Sequence, residues 1–298
     1  MAPEAPVRIA TRGSQLALWQ ARNVADGLAA LGLASELVLV ETAGDRSHAP
    51  IPSLGVGVFT KAVQAALLDG RADLAVHSFK DLPSQPAPGL ELAAVPTRGP
   101  AHDVLLLRPE RHDPAAPALP LPAGATVATS AVRRRALLTE LRPDLRGCDL
   151  RGNVPTRVAR LREGDFDAVV LAAAGLERLQ LDLGGLIRVD LEPDVFVPAP
   201  AQGALALEVR RGDVVADRLT DLHDVPGYAT VASERGLMGH LQAGCQLALG
   251  AHARRDAEGL TLVAWFEGRR VRVRHPQPEG AAWLAFEALE QPRVEERP

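Results

Sequence analysis

Two stretches far apart in the chain open alike. Ile9-Ala10-Thr11 and Val127-Ala128-Thr129 are short apolar runs that end in threonine and lead straight into an amphipathic helix. A strand that hands over to a helix, again and again, builds parallel βαβ units and therefore an α/β fold. In the first cycle a strand at 7–11 is followed by Ser14 as an N-cap. A helix then runs to about residue 31, with Leu16, Trp19, Val24 and Leu28 near helical spacing and Gly32 as its stop. A strand at 36–42, a loop rich in Gly, Pro and Ser at 43–57, a helix at 59–68 and an apolar strand at 72–78 follow, closed by Lys80-Asp81-Leu82-Pro83. The second cycle begins after a proline-rich loop at 109–122: strand 126–129, helix 131–141, strand 148–151, helix 156–163, strand 166–172 and a further helix.

Beyond Pro198 and Pro200 a strand returns at 204–209, and then the character changes. A helix at 228–241, strand patterns at 247–253 and 260–266 and a helix at 281–289 read as a smaller α+β domain. The 298 residues allow two or three domains at ~150 residues each. The division expected is a discontinuous first lobe (1–99 and 201–219), a second lobe (103–197) and a C-terminal domain (224–298), with hinges near 95–103 and 197–201.

Several classes are excluded early. Two cysteines far apart, Cys148 and Cys245, without a CxxC pair, make neither a disulfide framework nor a structural zinc site. The eight histidines do not cluster, so no metal site is expected. Residues 1–8 contain no apolar leader and no stretch approaches a bilayer span, so the expectation is a cytoplasmic protein without a membrane partner. There is no Walker loop, HExxH or GxSxG, and Gly55-Val56-Gly57 lacks a third glycine in a dinucleotide context.

In parallel sheets, ligands bind beyond the carboxyl ends of the strands, next to helix N-termini that favour anions. That rule nominates 11–14, 77–81, 129–135 and 151–157. The cations concentrate there: 33 basic residues include only two lysines, Lys61 and Lys80, and nine arginines between 133 and 162 face only Glu140, Asp144 and Asp149. Charge alone favours a solvated, ion-paired helix face. The alternative is a polyanion site, since guanidinium forks bind carboxylate or phosphate bidentately. A net charge of −4 and only 3% aromatics argue against nucleic acid; a small molecule with several carboxylates fits better. Asp81 at its strand end is either a turn residue or, in an Arg-lined cleft, a stabiliser of a cationic intermediate. Cys245 is either a small buried residue or a reactive thiol.

Taken in order, seven segments resemble hydroxymethylbilane synthase, the porphobilinogen deaminase family. They are RIATRGSQLALWQAR (8–22), FTK (59–61) with ALLDGRADLAVHSFKDLPS (66–84), VATSAVRRRALL (127–138), LRGNVPTR (150–157), FDAVVLAAAGLERL (166–179), PAPAQGALALE (198–208) and ASERGLMGHLQAGCQLALG (232–250). The resemblance implies two lobes like those of periplasmic binding proteins, joined to the smaller domain. It implies a monomeric enzyme that joins four porphobilinogen molecules head to tail, releasing ammonia each time. It also implies a dipyrromethane cofactor held by a thioether to Cys245. By the same resemblance Asp81 is the catalytic carboxylate; Lys80, Ser78, Thr129, Ser130, Arg133, Arg134, Arg151 and Gly152 hold the cofactor; Arg12, Ser14, Gln20, Arg157 and Arg178 hold substrate. The chain departs from the family pattern at Pro52, Val56, His102, Ala131, Pro155, Ala201 and Ala243, none of which removes the cysteine, the aspartate or the main arginines. A non-enzymatic anion-binding protein on the same lobes is the alternative from another class. An Arg-rich nucleic-acid binder is a third.

Overall fold

The computed structural model describes residues 5–42, 57, 60–242 and 247–291. The chain enters through β1 (Val7–Arg12), α1 (Gln15–Ala30), β2 (Ser35–Val40), α2 (Lys61–Leu68) and β3 (Leu74–Ser78), then a 3-10 turn (Phe79–Asp81) and β4 (Leu90–Ala94). It crosses to β5 (Asp103–Leu107), β6 (Thr126–Ala128), α3 (Val132–Leu141), β7 (Arg146–Cys148), α4 (Val154–Glu163), β8 (Ala168–Ala172), α5 (Ala173–Leu179) and β9 (Ile187–Asp190). It returns as β10 (Leu205–Arg210) and α6 (Val215–Arg218), and finishes in α7 (Val225–His240), β11 (Leu249–Asp256), β12 (Gly259–Phe266), β13 (Arg269–His275) and α8 (Pro278–Glu290).

The two five-stranded sheets share one plan. The first runs β2-β1-β3-β10-β4 and the second β7-β6-β8-β5-β9. In each, four strands run in the same direction and the fourth position is filled by an antiparallel strand that arrives from the other lobe: β10 against β3 and β4, β5 against β8 and β9. The likeness of 9–11 to 127–129 is therefore architectural, because β1 and β6 hold equivalent positions. The two connections between the lobes lie side by side. Gly99 N donates to Gly203 O at 3.1 Å. A Cβ at Gly203, whose φ is +87°, would stand 2.5 Å from Gly99 O.

Helix starts follow their capping residues. Ser14 accepts from Ala17 N, Asn153 from Thr156 N and Asp224 from Gly227 N. Pro155 sits in the first turn of α4, where no N–H is required, so this departure from the family pattern suits a helix start. Other expectations shift. The strand placed at 148–151 is observed as β7, Arg146–Cys148, pairing Thr126 with Arg146 and Ala128 with Cys148, which frees Asp149 to Arg151 from the sheet. The helix placed at 228–241 starts at Val225 because Asp224 caps it and Pro226 occupies its first turn. β13 was not expected: Arg270, Arg272 and Arg274 alternate with Val271 and Val273, a half-polar strand that lies beside β12.

The third sheet, β11-β12-β13, packs under α7 and α8 around Leu237, Leu249, Leu262 and Ala282. It also docks on both lobes. Val263 and Trp265 belong to the second lobe's core with Leu105, Val127 and Phe196. Val231 of α7 joins a cluster with Phe79, Leu82 and Val95 of the first lobe.

Candidate functional site

The ends of β3 and β8 meet at one space between the lobes, together with residues of α1, α3, α4 and α5. Ser78 closes β3, and the 3-10 turn that follows lifts Lys80 and Asp81 off the sheet. Gln20 Nε2 donates to Ser78 Oγ at 2.9 Å, tying α1 to that strand end. A cavity of about 110 Å³ lies between the lobes, lined by Gln20, Ser78 and Lys80 from one side and Arg134, Arg157 and Arg178 from the other, with Leu16, Leu171 and Gly203 among its apolar walls. Six of the residues singled out in the sequence thus share one small space.

The remaining candidates surround it in different ways. Ser14 caps α1 with its hydroxyl. Arg12 ends β1. Thr129 Oγ1 accepts from Ala131 N just ahead of α3, whose start has no side-chain cap, with Ser130 between them. Gly152 has φ +99°, and a Cβ there would meet Thr156 Cγ2 at 2.8 Å, so the bend before α4 needs glycine. Its carbonyl accepts from Arg157 Nε at 2.8 Å. Arg151 Nη2 is buried and finds no hydrogen-bond partner among the described residues. Asp81 is half-buried, and its carboxylate takes no hydrogen bond among the described residues. Cys245, with Ala243, lies outside the described residues, as do Pro52 and Val56.

Arg133 turns away from the cavity. Its fork binds Asp103 Oδ2 at 2.7 Å and Val197 O at 2.6 Å, and its guanidinium stacks 5.9 Å from the Phe196 ring. Arg134 reaches the other oxygen of Asp103 at 2.7 Å while also lining the cavity. Most of the cationic run from 133 to 162 is likewise neutralised: Arg135 pairs with Asp149, Arg142 with Asp144 and Arg160 with Asp165. Arg142 further donates to the carbonyls of Leu119 and Leu121. The local excess of charge is largely a structural feature; Arg134, Arg151 and Arg157 are its residue at the cleft.

That residue is electrostatically unsatisfied. Burial, then repulsion from Arg134, brings the Lys80 ammonium down to about 8 against the pull of Asp81 and Asp103. Burial, with Arg134 and Arg151, lowers Arg157 to about 10, and burial alone brings Arg178 to about 10. Burial pushes the Asp103 carboxyl up, but Arg133 and Arg134 outweigh it and hold it well below the usual carboxylate range. Cations disfavoured by their own neighbours are stabilised by an anion placed among them. The orphaned Arg151 Nη2 points to the same need. A ligand with several carboxylates fits this donor set.

A polar knot behind the cavity was not foreseen. Gln202, 1% exposed, accepts from Lys80 Nζ at 3.3 Å, donates to Asp103 Oδ1 at 2.9 Å and to Ala101 O at 2.7 Å, and accepts at its own carbonyl from Arg98 Nε. Arg98 in turn makes a bidentate pair with Glu234 of α7, at 2.8 and 2.9 Å. Glu234 is fully buried and also accepts from the backbone N–H of Ala201 and Ala253. One chain of hydrogen bonds therefore joins both crossings to the third domain. Its only sequence signals were a lone arginine between Pro96 and Gly99 and a charged pair, Glu234-Arg235, inside a helix.

Comparison with known proteins gives this cleft its context. The family described as porphobilinogen deaminase, dipyromethane cofactor binding domain, matches residues 7–218. The porphobilinogen deaminase of Mycobacterium marinum is 48% identical over 249 residues, covering 83% of this chain and 77% of that protein. That of Corynebacterium efficiens is 44% identical over 262 residues, covering 87% and 85%. The probable porphobilinogen deaminase of Ignicoccus hospitalis is 40% identical over 274 residues, covering 90% and 84%. Among solved structures, an ancestral cationic amino acid solute binding protein aligns with 77% of this chain and 93% of its own at a TM-score of 0.46 and 15% identity, a likeness too distant to bear on function. By the family match and by these relatives, the chain belongs to the porphobilinogen deaminase family.

Proposed function

We propose that the inter-lobe cleft performs the hydroxymethylbilane synthase reaction with Asp81 as its catalytic carboxylate. Four porphobilinogen molecules are joined head to tail. At each addition the C–N bond of the substrate's aminomethyl group breaks and ammonia leaves. A C–C bond forms between that methylene and the free α-carbon of the growing chain, whose proton is released. When bound through Cys245, the dipyrromethane supplies the first such α-carbon. Arg134, Arg157 and Arg178, with Lys80 and the orphaned fork of Arg151, hold the acetate and propionate groups; Arg12, Ser14, Gln20, Ser78, Thr129, Ser130 and Gly152 shape the strand ends around them. Arg133 acts through Asp103, by fixing the carboxylate that Arg134 shares.

The observation that carries this reading is the cavity between the lobes, lined by Lys80, Arg157 and Arg178, buried cations that an anion would stabilise; Asp81 does not line it but directly follows Lys80 and acts on that ammonium by its charge. Departure of ammonia leaves a resonance-stabilised cation on the substrate. A carboxylate at ~4 Å in a medium of effective dielectric ~20 stabilises a unit charge by about 4 kcal/mol. Asp81→Asn should therefore retain the cofactor adduct in an intact-mass measurement, absent in Cys245→Ser, while turnover falls about 10³-fold. Near-normal turnover in Asp81→Asn would sink the assigned role.

The reading carries with it three units, 1–99 with 201–219, 103–197 and 224–298, hinged at the paired crossings, in a monomeric cytoplasmic enzyme without a nucleic-acid partner. The pairing of Arg135, Arg142 and Arg160 with local acids supports a small polyanion over nucleic acid. No helix among the described residues is long and apolar enough to cross a membrane.

A further inference from the structure

We propose that Arg235, on the third-domain helix α7, is a positioning residue that aims Asp81 by holding the backbone of the turn that carries it. The inference rests on the reading of Asp81 as the catalytic carboxylate.

β3 leaves its sheet at Ser78, the last residue paired with β10. Beyond it, the turn has few backbone bonds of its own: Phe79 N donates to Ala204 O at 3.0 Å, and Leu82 N to Phe79 O at 3.2 Å. The carbonyls of Phe79, Leu82 and Pro83 bracket Lys80 and Asp81. Arg235 takes all three, Nη1 to Phe79 O at 3.3 Å and Leu82 O at 3.2 Å, Nη2 to Pro83 O at 2.5 Å. Its guanidinium also lies 4.2 Å from the centre of the Phe79 ring. A planar fork that stacks and donates to three carbonyls at once fixes both the position and the tilt of the turn, which a lysine cannot reproduce.

The helix that delivers this fork is itself anchored. Asp224 at its start donates its N–H to Val95 O at 2.9 Å, and Glu234, the residue before Arg235, holds Arg98 and Ala201 N. Adjacent residues of one helix thus secure the crossings and the catalytic turn. Cys245 follows the same helix in sequence, outside the described residues. Arg235 lines a separate space of about 440 Å³ with Phe79, Leu82, Pro83 and Tyr228 and is not among the residues that line the cavity between the lobes.

A support of this kind predicts loss of kcat with little change in KM, since displacing a reacting group by ~1 Å costs about 10²-fold in rate. The experiment compares the holoenzyme with Arg235→Ala, Arg235→Lys and Asp81→Asn. Intact mass reports cofactor attachment, steady-state kinetics split kcat from KM, and hydrogen exchange reads the amides of 79–83. We expect Arg235→Ala to keep the adduct, lower kcat about 10²-fold at nearly unchanged KM, and exchange faster at 79–83 than elsewhere. Guanidinium at millimolar concentration, entering through the 440 Å³ space, should restore part of kcat and of the protection in Arg235→Ala and neither in Asp81→Asn. Arg235→Lys should fold and load cofactor while recovering only part of kcat. Wild-type kcat and wild-type exchange at 79–83 in either Arg235 variant would overturn the proposal, as would a kcat loss that guanidinium leaves untouched. Normal turnover of Asp81→Asn would instead remove the reading on which it rests, whatever Arg235 does.

Discussion

Asp103 offers the sharpest test of how the crossings are held. Its carboxylate is fully buried and receives Arg133, Arg134 and Gln202 at 2.7 to 2.9 Å. Arg133 and Arg134 are themselves only 5% and 7% exposed, so removing the negative charge leaves two guanidiniums facing each other without water. Breaking a buried pair by deleting one partner costs about 3–5 kcal/mol. Asparagine keeps one accepting oxygen, so Asp103→Asn should lie near the lower end, about 3 kcal/mol, and Asp103→Ala near the upper. At ~2–4 °C per kcal/mol for a chain of this size, the asparagine variant should melt about 6–12 °C below wild type. The pH dependence has a definite sign. Because Asp103 is held below the usual carboxylate range in the folded protein, its contribution is complete above the unfolded-chain value, ~3.9, and disappears as pH falls through the folded value. The deficit of Asp103→Asn should therefore be full at pH 7 and shrink in strongly acidic buffer. Calorimetric melts of both variants across pH measure it. An asparagine variant that melts within about 1 °C of wild type at pH 7, well inside the shift expected for a lost buried charge, would refute the claim that the two arginines depend on this carboxylate.

Other consequences follow from the same geometry. Lys80 is lowered to about 8 by burial and Arg134; between that value and the ~10.4 of an unfolded lysine, the unfolded chain holds the extra proton, so rising pH favours the folded apoprotein. Added sulfate should accordingly raise the melting temperature more at pH 7 than at pH 9.5, and the difference should shrink in Lys80→Gln, leaving the smaller part due to Arg157 and Arg178; an equal difference in wild type and Lys80→Gln would exclude Lys80 from the anion site. Gly203→Ala places a Cβ 2.5 Å from Gly99 O and 2.6 Å from Pro100 O at a φ of +87°, and should destabilise by ~3 kcal/mol or more. A soluble variant with unchanged urea midpoint would show that the crossings are free to part.

What the sequence disclosed depended on whether the relevant interaction was local. The lobes were legible where a strand is a continuous apolar run, as in β3 and β8, and where a local cap such as Ser14 marks a helix start; Asn153 and Asp224 are equally local caps that were passed over, and the helices they begin were placed two and three residues late. β13 escaped because three arginines occupy its alternate positions, and their partners lie elsewhere: Arg270 reaches Glu140 and Arg272 reaches Asp194. The cationic run misled in the opposite direction. Counted in a window it is strongly positive, yet Asp103, outside the window at the start of β5, is the carboxylate that two of its arginines share. A window counts neighbours in sequence, whereas the low-dielectric interior weighs neighbours in space. The distinction decides which arginines are available to a ligand. Arg133 and Arg134 adjoin in sequence and share a carboxylate, but only Arg134 also faces the cavity, because helical spacing turns consecutive side chains about 100° apart. In the sequence Arg133 and Arg134 alike read as site residues; in the structure only Arg134 of the two lines the cavity. That assignment required Asp103, Val197 and the crossing between the lobes to be in place.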